Sequence, residues 1–129
     1  MSETILIVED SKTLRTILGF QLRKAGYAVQ EAENGMQGLA MASAQPPPDL
    51  IISDVMMPEM DGLELCRRIR VLPGMDSIPI ILLATRQEAH HRREGMEAGA
   101  TDYMRKPYEA RTLLETIRER LSAVSRAAG

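Results

Sequence analysis

Three carboxylates and one amine close short apolar runs. Glu9 and Asp10 end Ile5-Leu6-Ile7-Val8, Asp54 ends Leu50-Ile51-Ile52-Ser53, and Lys106-Pro107 follows Asp102-Tyr103-Met104. If these runs are strands of one sheet, the acids meet at one edge. Like charges that close do not all stay ionised unless a proton or a cation joins them. Hard oxygen donors with room for water suit Mg²⁺, which is typically held by one or two carboxylates plus a phosphate. Asp10, Asp54 and a backbone carbonyl just after Asp54 are the expected ligands. The Lys106 ammonium at the same edge would neutralise phosphate oxygens as a point charge. Pro107 limits how that amine is presented, and it is the candidate for a cis bond.

The elements that must position these groups alternate in type. A strand at Ile5-Leu6-Ile7-Val8 is followed by a helix with Leu14, Ile17, Leu18, Leu22 and Ala25 in step, capped by Ser11 and stopped by Gly26. A short strand spans Ala28 to Ala32, a helix runs from about Gly35 to Ala44, and Pro46-Pro47-Pro48 closes it as a loop. The strand ending at Asp54 precedes a helix from Gly62 to about Val71, with Leu63, Cys66 and Ile69 on one side. Ile80 to Ala84 forms a fourth strand, and a polar helix from about Glu88 to Ala98 follows it. After the short strand near Tyr103, a last helix carries Leu113, Leu114, Ile117, Leu121 and Val124. Buried strands alternating with amphipathic helices predict a parallel sheet covered on both faces. In such sheets ligands bind beyond the carboxyl ends of the strands, where the acids are.

At 129 residues the chain suits one domain, here 1–122, with 123–129 as a tail or the start of a linker. A net charge of −2 lacks the basic excess that drives nucleic-acid binding, so no direct contact with DNA or RNA is expected. No apolar run reaches membrane-spanning length and the N-terminus is too acidic for a signal peptide, so a cytoplasmic location is expected. The single cysteine, Cys66, excludes an intramolecular disulfide and reads as core filler. His90 and His91, being consecutive, point about 100° apart on a helix and read as surface residues. Met56, Met57 and Met60, near the acids, are read chiefly as loop packing.

Taken together, Ile5-Leu6-Ile7-Val8-Glu9-Asp10, Asp54 to Gly62 (DVMMPEMDG), Gly99-Ala100 and Lys106-Pro107 closely resemble the receiver domains of response regulators in two-component signalling. The resemblance spans residues 4 to about 122, and it is the combination in this order that is specific. It implies a flavodoxin-like doubly wound α/β fold, a five-stranded parallel sheet in the order 2-1-3-4-5 with helices on both faces. It further implies Asp54 as phosphoacceptor, Asp10 as a direct Mg²⁺ ligand, Glu9 as a second acidic group, the Met56 carbonyl as backbone ligand and Lys106 as the phosphate contact. The implied function is a phosphorelay switch rather than an enzyme acting on an external substrate. A sensor histidine kinase or phosphotransfer protein would supply the phosphoryl group, and a downstream effector or the chain's own output domain would receive the signal.

The family's switch also uses a hydroxyl residue at the end of strand 4 and an aromatic residue on strand 5. Tyr103 matches the aromatic. Counting five residues on from Pro79 or fifteen back from Gly99 lands on Ala84, while the hydroxyl belongs to Thr85. Side chains alternate along a strand, so either Thr85 substitutes through a local rearrangement or the contact is absent and coupling to Tyr103 is weakened. The helix after strand 4 has Met96 as its only sizeable apolar residue, which marks it as a mobile element. Tyr103, Arg105, Tyr108 and Arg111 are the candidate partner surface, including a homodimer through the α4-β5-α5 face.

Three alternatives stay open. A haloacid-dehalogenase-like phosphatase would place an aspartate two residues after a strand-1 nucleophile, whereas Asp10 is followed by Ser11 and Lys12. A flavodoxin-like cofactor protein would need a phosphate-cradling loop where Glu9 and Asp10 stand. A phosphorylation-independent receiver-like binding module is the third, kept open by Ala84.

Overall fold

The computed structural model describes residues 2–85 and 92–128, with side chains through 124. The order is β1 (Thr4–Val8), α1 (Lys12–Lys24), β2 (Ala28–Ala32), α2 (Gly35–Ala42), β3 (Leu50–Asp54), α3 (Gly62–Arg70), β4 (Ile80–Ala84), α4 (Arg92–Glu97), β5 (Asp102–Arg105) and α5 (Ala110–Ala128). All strand pairs are parallel and the sheet order is β2-β1-β3-β4-β5. Both the doubly wound class and the strand order therefore match the expectation. α5 stays helical through 123–128, the stretch set apart above as tail or linker. His90 and His91, with the start of the helix expected from Glu88, lie outside the described residues. Among the described residues no helix is long and apolar enough to cross a membrane.

Strand alternation divides the core in two. Leu6, Val8, Ile51, Ile80, Leu82, Ala84 and Tyr103 face α3 with Leu65, Cys66 and Ile69. Ile5, Ile7, Leu50, Ile52, Ile81 and Leu83 face Leu18 and Leu22 of α1 and Leu113, Ile117 and Leu121 of α5. A fully buried Leu or Ile contributes roughly 1.5–3 kcal/mol, so each face anchors its helices through several such residues. Cys66 is fully buried and its thiol is pushed up in pKa by that burial, as expected of core filler.

The helix starts follow local rules. Ser11, Asn34 and Asp61 each accept a bond from the backbone N–H three residues on, at 3.3, 2.8 and 2.8 Å. Gly62 is required by a close approach. A Cβ there would lie 2.3 Å from the Asp54 carbonyl oxygen, so α3 starts hard against the end of β3.

Several details correct the helix-face reading. Leu14 and Ile17 are half exposed and Val124 is 40% exposed, so the buried stripes of α1 and α5 are narrower than the apolar pattern. On α3, Leu65 is buried while Leu63 only flanks the cluster. Met96 does not anchor α4, being 41% exposed. α4 instead approaches through Gly95, where a Cβ would fall 2.6 Å from Tyr103 Cδ2.

Candidate functional site

The carboxyl ends of β1, β3 and β5 bring the expected groups together. Asp54, the last residue of β3, is 7% exposed, and the chain beyond it is fixed by Val55 N–H donating to Leu83 O at 3.0 Å. Glu9 follows β1, is 5% exposed, and donates its N–H to Ala32 O at 3.1 Å. Its Oε2 accepts from Ser11 N–H at 3.0 Å. Asp10 stands exposed beside it. Carboxylate oxygens of Glu9, Asp10 and Asp54 lie within 4.8 Å of one another.

Lys106 reaches this cluster from the end of β5. Its Nζ is 2.5 Å from Asp54 Oδ1 and 3.4 Å from Glu9 Oε1. Its own N–H donates to Ala84 O at 2.6 Å, which sets the residue's height on the sheet. The Lys106–Pro107 bond is cis, as is Gln45–Pro46 in the proline loop.

Charge follows geometry. Burial lowers the pKa of the Lys106 ammonium, but its bond to Asp54 and the charges of Asp54 and Glu9 outweigh that and leave it raised. Burial raises the Glu9 carboxyl; Ser11 N–H and Lys106 oppose this, while Asp54 and a hydrogen bond with Asp10 reinforce it. An acid cluster holding one carboxyl above its usual range favours either a proton or a further cation.

The donor set fits Mg²⁺. Carboxylate oxygens within 4.8 Å of one another can share one ion that two of them ligate directly and the third reaches through a retained water. Asp10 and Asp54 would be direct ligands, with Glu9 behind them. Met56 lies in the loop after β3 with its side chain 63% exposed. That loop is tied back by Gly62 N–H to Val55 O at 2.8 Å, and Met57 and Met60 are buried as packing.

Ala84 and Thr85 part at the end of β4. Ala84 is fully buried in the cluster that holds Tyr103, and Thr85 is exposed. Thr85 lies instead on the α1 side, in a hollow of about 390 Å³ with Leu14, Ile17, Lys106 and Tyr108. Tyr103 is 6% exposed, which corrects its inclusion in an exposed partner face; Arg105 and Arg111 are exposed, and Tyr108 is half-buried with its hydroxyl raised in pKa by burial.

Sequence reasoning missed Arg15, whose Nη1 donates to the Glu9 carbonyl at 2.7 Å. A signal was present, because position 15 keeps step with Leu18 and Leu22 on the buried side of α1. A charged residue on an apolar stripe marks a partner below it.

Comparison with known proteins agrees with this geometry. The family model described as response regulator receiver domain matches residues 5–118. Response regulator MprA of Mycobacterium bovis is 40% identical over 118 residues, 92% of this chain and 50% of its own length. The chain spans about half the length of that relative. A putative response regulator from Chloroflexus aurantiacus superposes with a TM-score of 0.88 at 36% identity, covering 95% of this chain and 99% of the other. The receiver domain of sensor histidine kinase PA1611 from Pseudomonas aeruginosa, with magnesium coordinated in its active-site cleft, gives 0.86 at 30% identity, covering 95% and 99%.

Proposed function

Because this chain belongs to the response regulator receiver family, we propose that it accepts a phosphoryl group on Asp54 in the presence of Mg²⁺ and passes the change to a partner or output domain. The observation that carries the reading is Lys106 Nζ against Asp54 Oδ1 beside Glu9 and Asp10. A carboxylate is a weak nucleophile, and this site compensates by orientation and charge. Asp10, Asp54 and the Met56 carbonyl would hold the ion, which when bound would supply positive charge against the incoming phosphoryl group. An Asp54 oxygen then forms the O–P bond as the P–N bond to a kinase phosphohistidine breaks, and the imidazole leaves with the bonding pair. Lys106, released from sole attention to Asp54, holds a phosphoryl oxygen.

The kinase or phosphotransfer partner has an approach along α1, where Leu14 and Ile17 expose apolar surface beside Lys106. Output runs through the face of α4, β5 and α5, with Arg105 and Arg111 exposed there for an effector or a second copy. Ala84 favours a second reading in part, a module whose binding is independent of phosphorylation, since a methyl group occupies the β4 position packed in one cluster with Tyr103.

Incubation with a small phosphodonor tests the first reading. It predicts a hydroxylamine-labile acyl phosphate that forms with Mg²⁺ and not with chelator, and no sustained turnover of a phosphomonoester. Binding of a partner with no such product under any condition would favour the module instead.

A further inference from the structure

Arg15 occupies a buried position on α1 beside Leu18, Gly19 and Leu22, and is 9% exposed. A buried guanidinium is costly unless its donors are satisfied. Nη1 donates to the Glu9 carbonyl at 2.7 Å, and Nε lies 3.5 Å from Glu31 Oε1 on β2. Glu31 is held in turn by Arg23, Nη2 to Oε2 at 2.9 Å. Gly19 leaves room for this bridge, because a Cβ there would come within 3.1 Å of Arg23 Nη1 and 3.3 Å of Glu31 Oε2. With its N–H bonded to Ala32 O, Glu9 has both backbone groups pinned.

The Glu9 carbonyl belongs to the same planar peptide as the Asp10 N–H, so fixing the oxygen fixes the plane from which Asp10 departs. We propose that Arg15 is a positioning residue for the acidic cluster, setting its affinity for Mg²⁺ by holding the Glu9–Asp10 peptide. The inference rests on the Mg²⁺ reading of the site above. It differs in sign from a through-space effect. A cation near the cluster opposes a second cation, so deleting the Arg15 charge alone would tighten binding, whereas releasing the peptide weakens it.

Calorimetric titration of the full chain with MgCl₂ separates these. Arg15→Met is expected to bind Mg²⁺ about tenfold more weakly, as with other groups that orient a metal ligand from behind. Arg15→Lys, which keeps one donor for the Glu9 carbonyl, should fall between it and wild type, and it carries the test if the methionine variant does not fold. Arg70→Met is the structural control. Arg70 donates to the carbonyls of Gly99, Met75 and Ile78 at the opposite end of the sheet, so its loss lowers the melting temperature but leaves Mg²⁺ affinity unchanged. In the metal-free protein the Asp10 and Ser11 amide resonances should move in Arg15→Lys and stay in place in Arg70→Met. Arg15 variants that bind Mg²⁺ as well as or better than wild type would overturn the proposal and leave the functional reading standing. Wild type without Mg²⁺ affinity would overturn both.

Discussion

The ammonium of Lys106 and the carboxylate of Asp54 are in contact at 2.5 Å, so the group positioned to hold a phosphate is first the counter-ion of the group that would carry it. On the proposed function, Lys106 and a bound Mg²⁺ would compete for the same negative charge until a phosphoryl group arrived to share it.

Lys106→Met should destabilise the metal-free protein by on the order of 2 kcal/mol, less than a fully buried pair because the lysine side chain keeps 20% exposure. Mg²⁺ should restore much of that loss and bind severalfold more tightly than in wild type. Urea unfolding with and without Mg²⁺ measures both, and unchanged stability in the metal-free variant would contradict the account.

Ala84 packs in the cluster that holds Tyr103, whereas Thr85 is exposed and lines the hollow on the α1 side. Ala84→Ser should place a donor on the Tyr103 side, where a bond to a charged group contributes ~1.5–3 kcal/mol. Amide NMR on phosphorylation should then show larger shifts through β4, α4 and β5 than wild type does. Thr85→Val should leave those shifts as they are.

Gly95→Ala would press a Cβ against the buried ring of Tyr103, 2.6 Å from Cδ2. Alanine gains about 1 kcal/mol of helix propensity, but overpacking a buried ring costs roughly 1–3 kcal/mol. Net destabilisation is expected by chemical denaturation, and Tyr103→Leu in the same chain should relieve part of it. A stabilised single variant would show that α4 does not pack on Tyr103 as described.

Burial holds the Glu9 carboxyl above its ordinary value of 4.5. The native state then keeps this proton more tightly than the unfolded chain. Glu9 therefore adds stability below pH 4.5, and that contribution is lost as pH rises through the raised value. In the absence of divalent ions, wild type should lose stability relative to Glu9→Gln across that window. A difference independent of pH would contradict it.

The sheet was legible because β1, β3 and β4 are nearly continuous apolar runs, and the polar residues that end β1 and β3 located the acidic part of the site. The helices were less so. Leu14 and Ile17 match the period of α1 yet stay half exposed, because the inward stripe is completed by Arg15 and Gly19. Apolar counting does not register a guanidinium bonded to a carbonyl. Nor does it register Gly95, which anchors α4 by bringing the helix close to a ring contributed by β5. The depth of Glu9 relative to Asp10 depends on the turn after β1 and the partners around it, not on residue type alone.

Intact-mass measurement after exposure to a small phosphodonor and Mg²⁺ bears most directly on the central claim. One added phosphoryl group is expected on wild type and none on Asp54→Asn, with both proteins folded. Equal phosphoryl gain on the two would remove Asp54 from the role assigned to it.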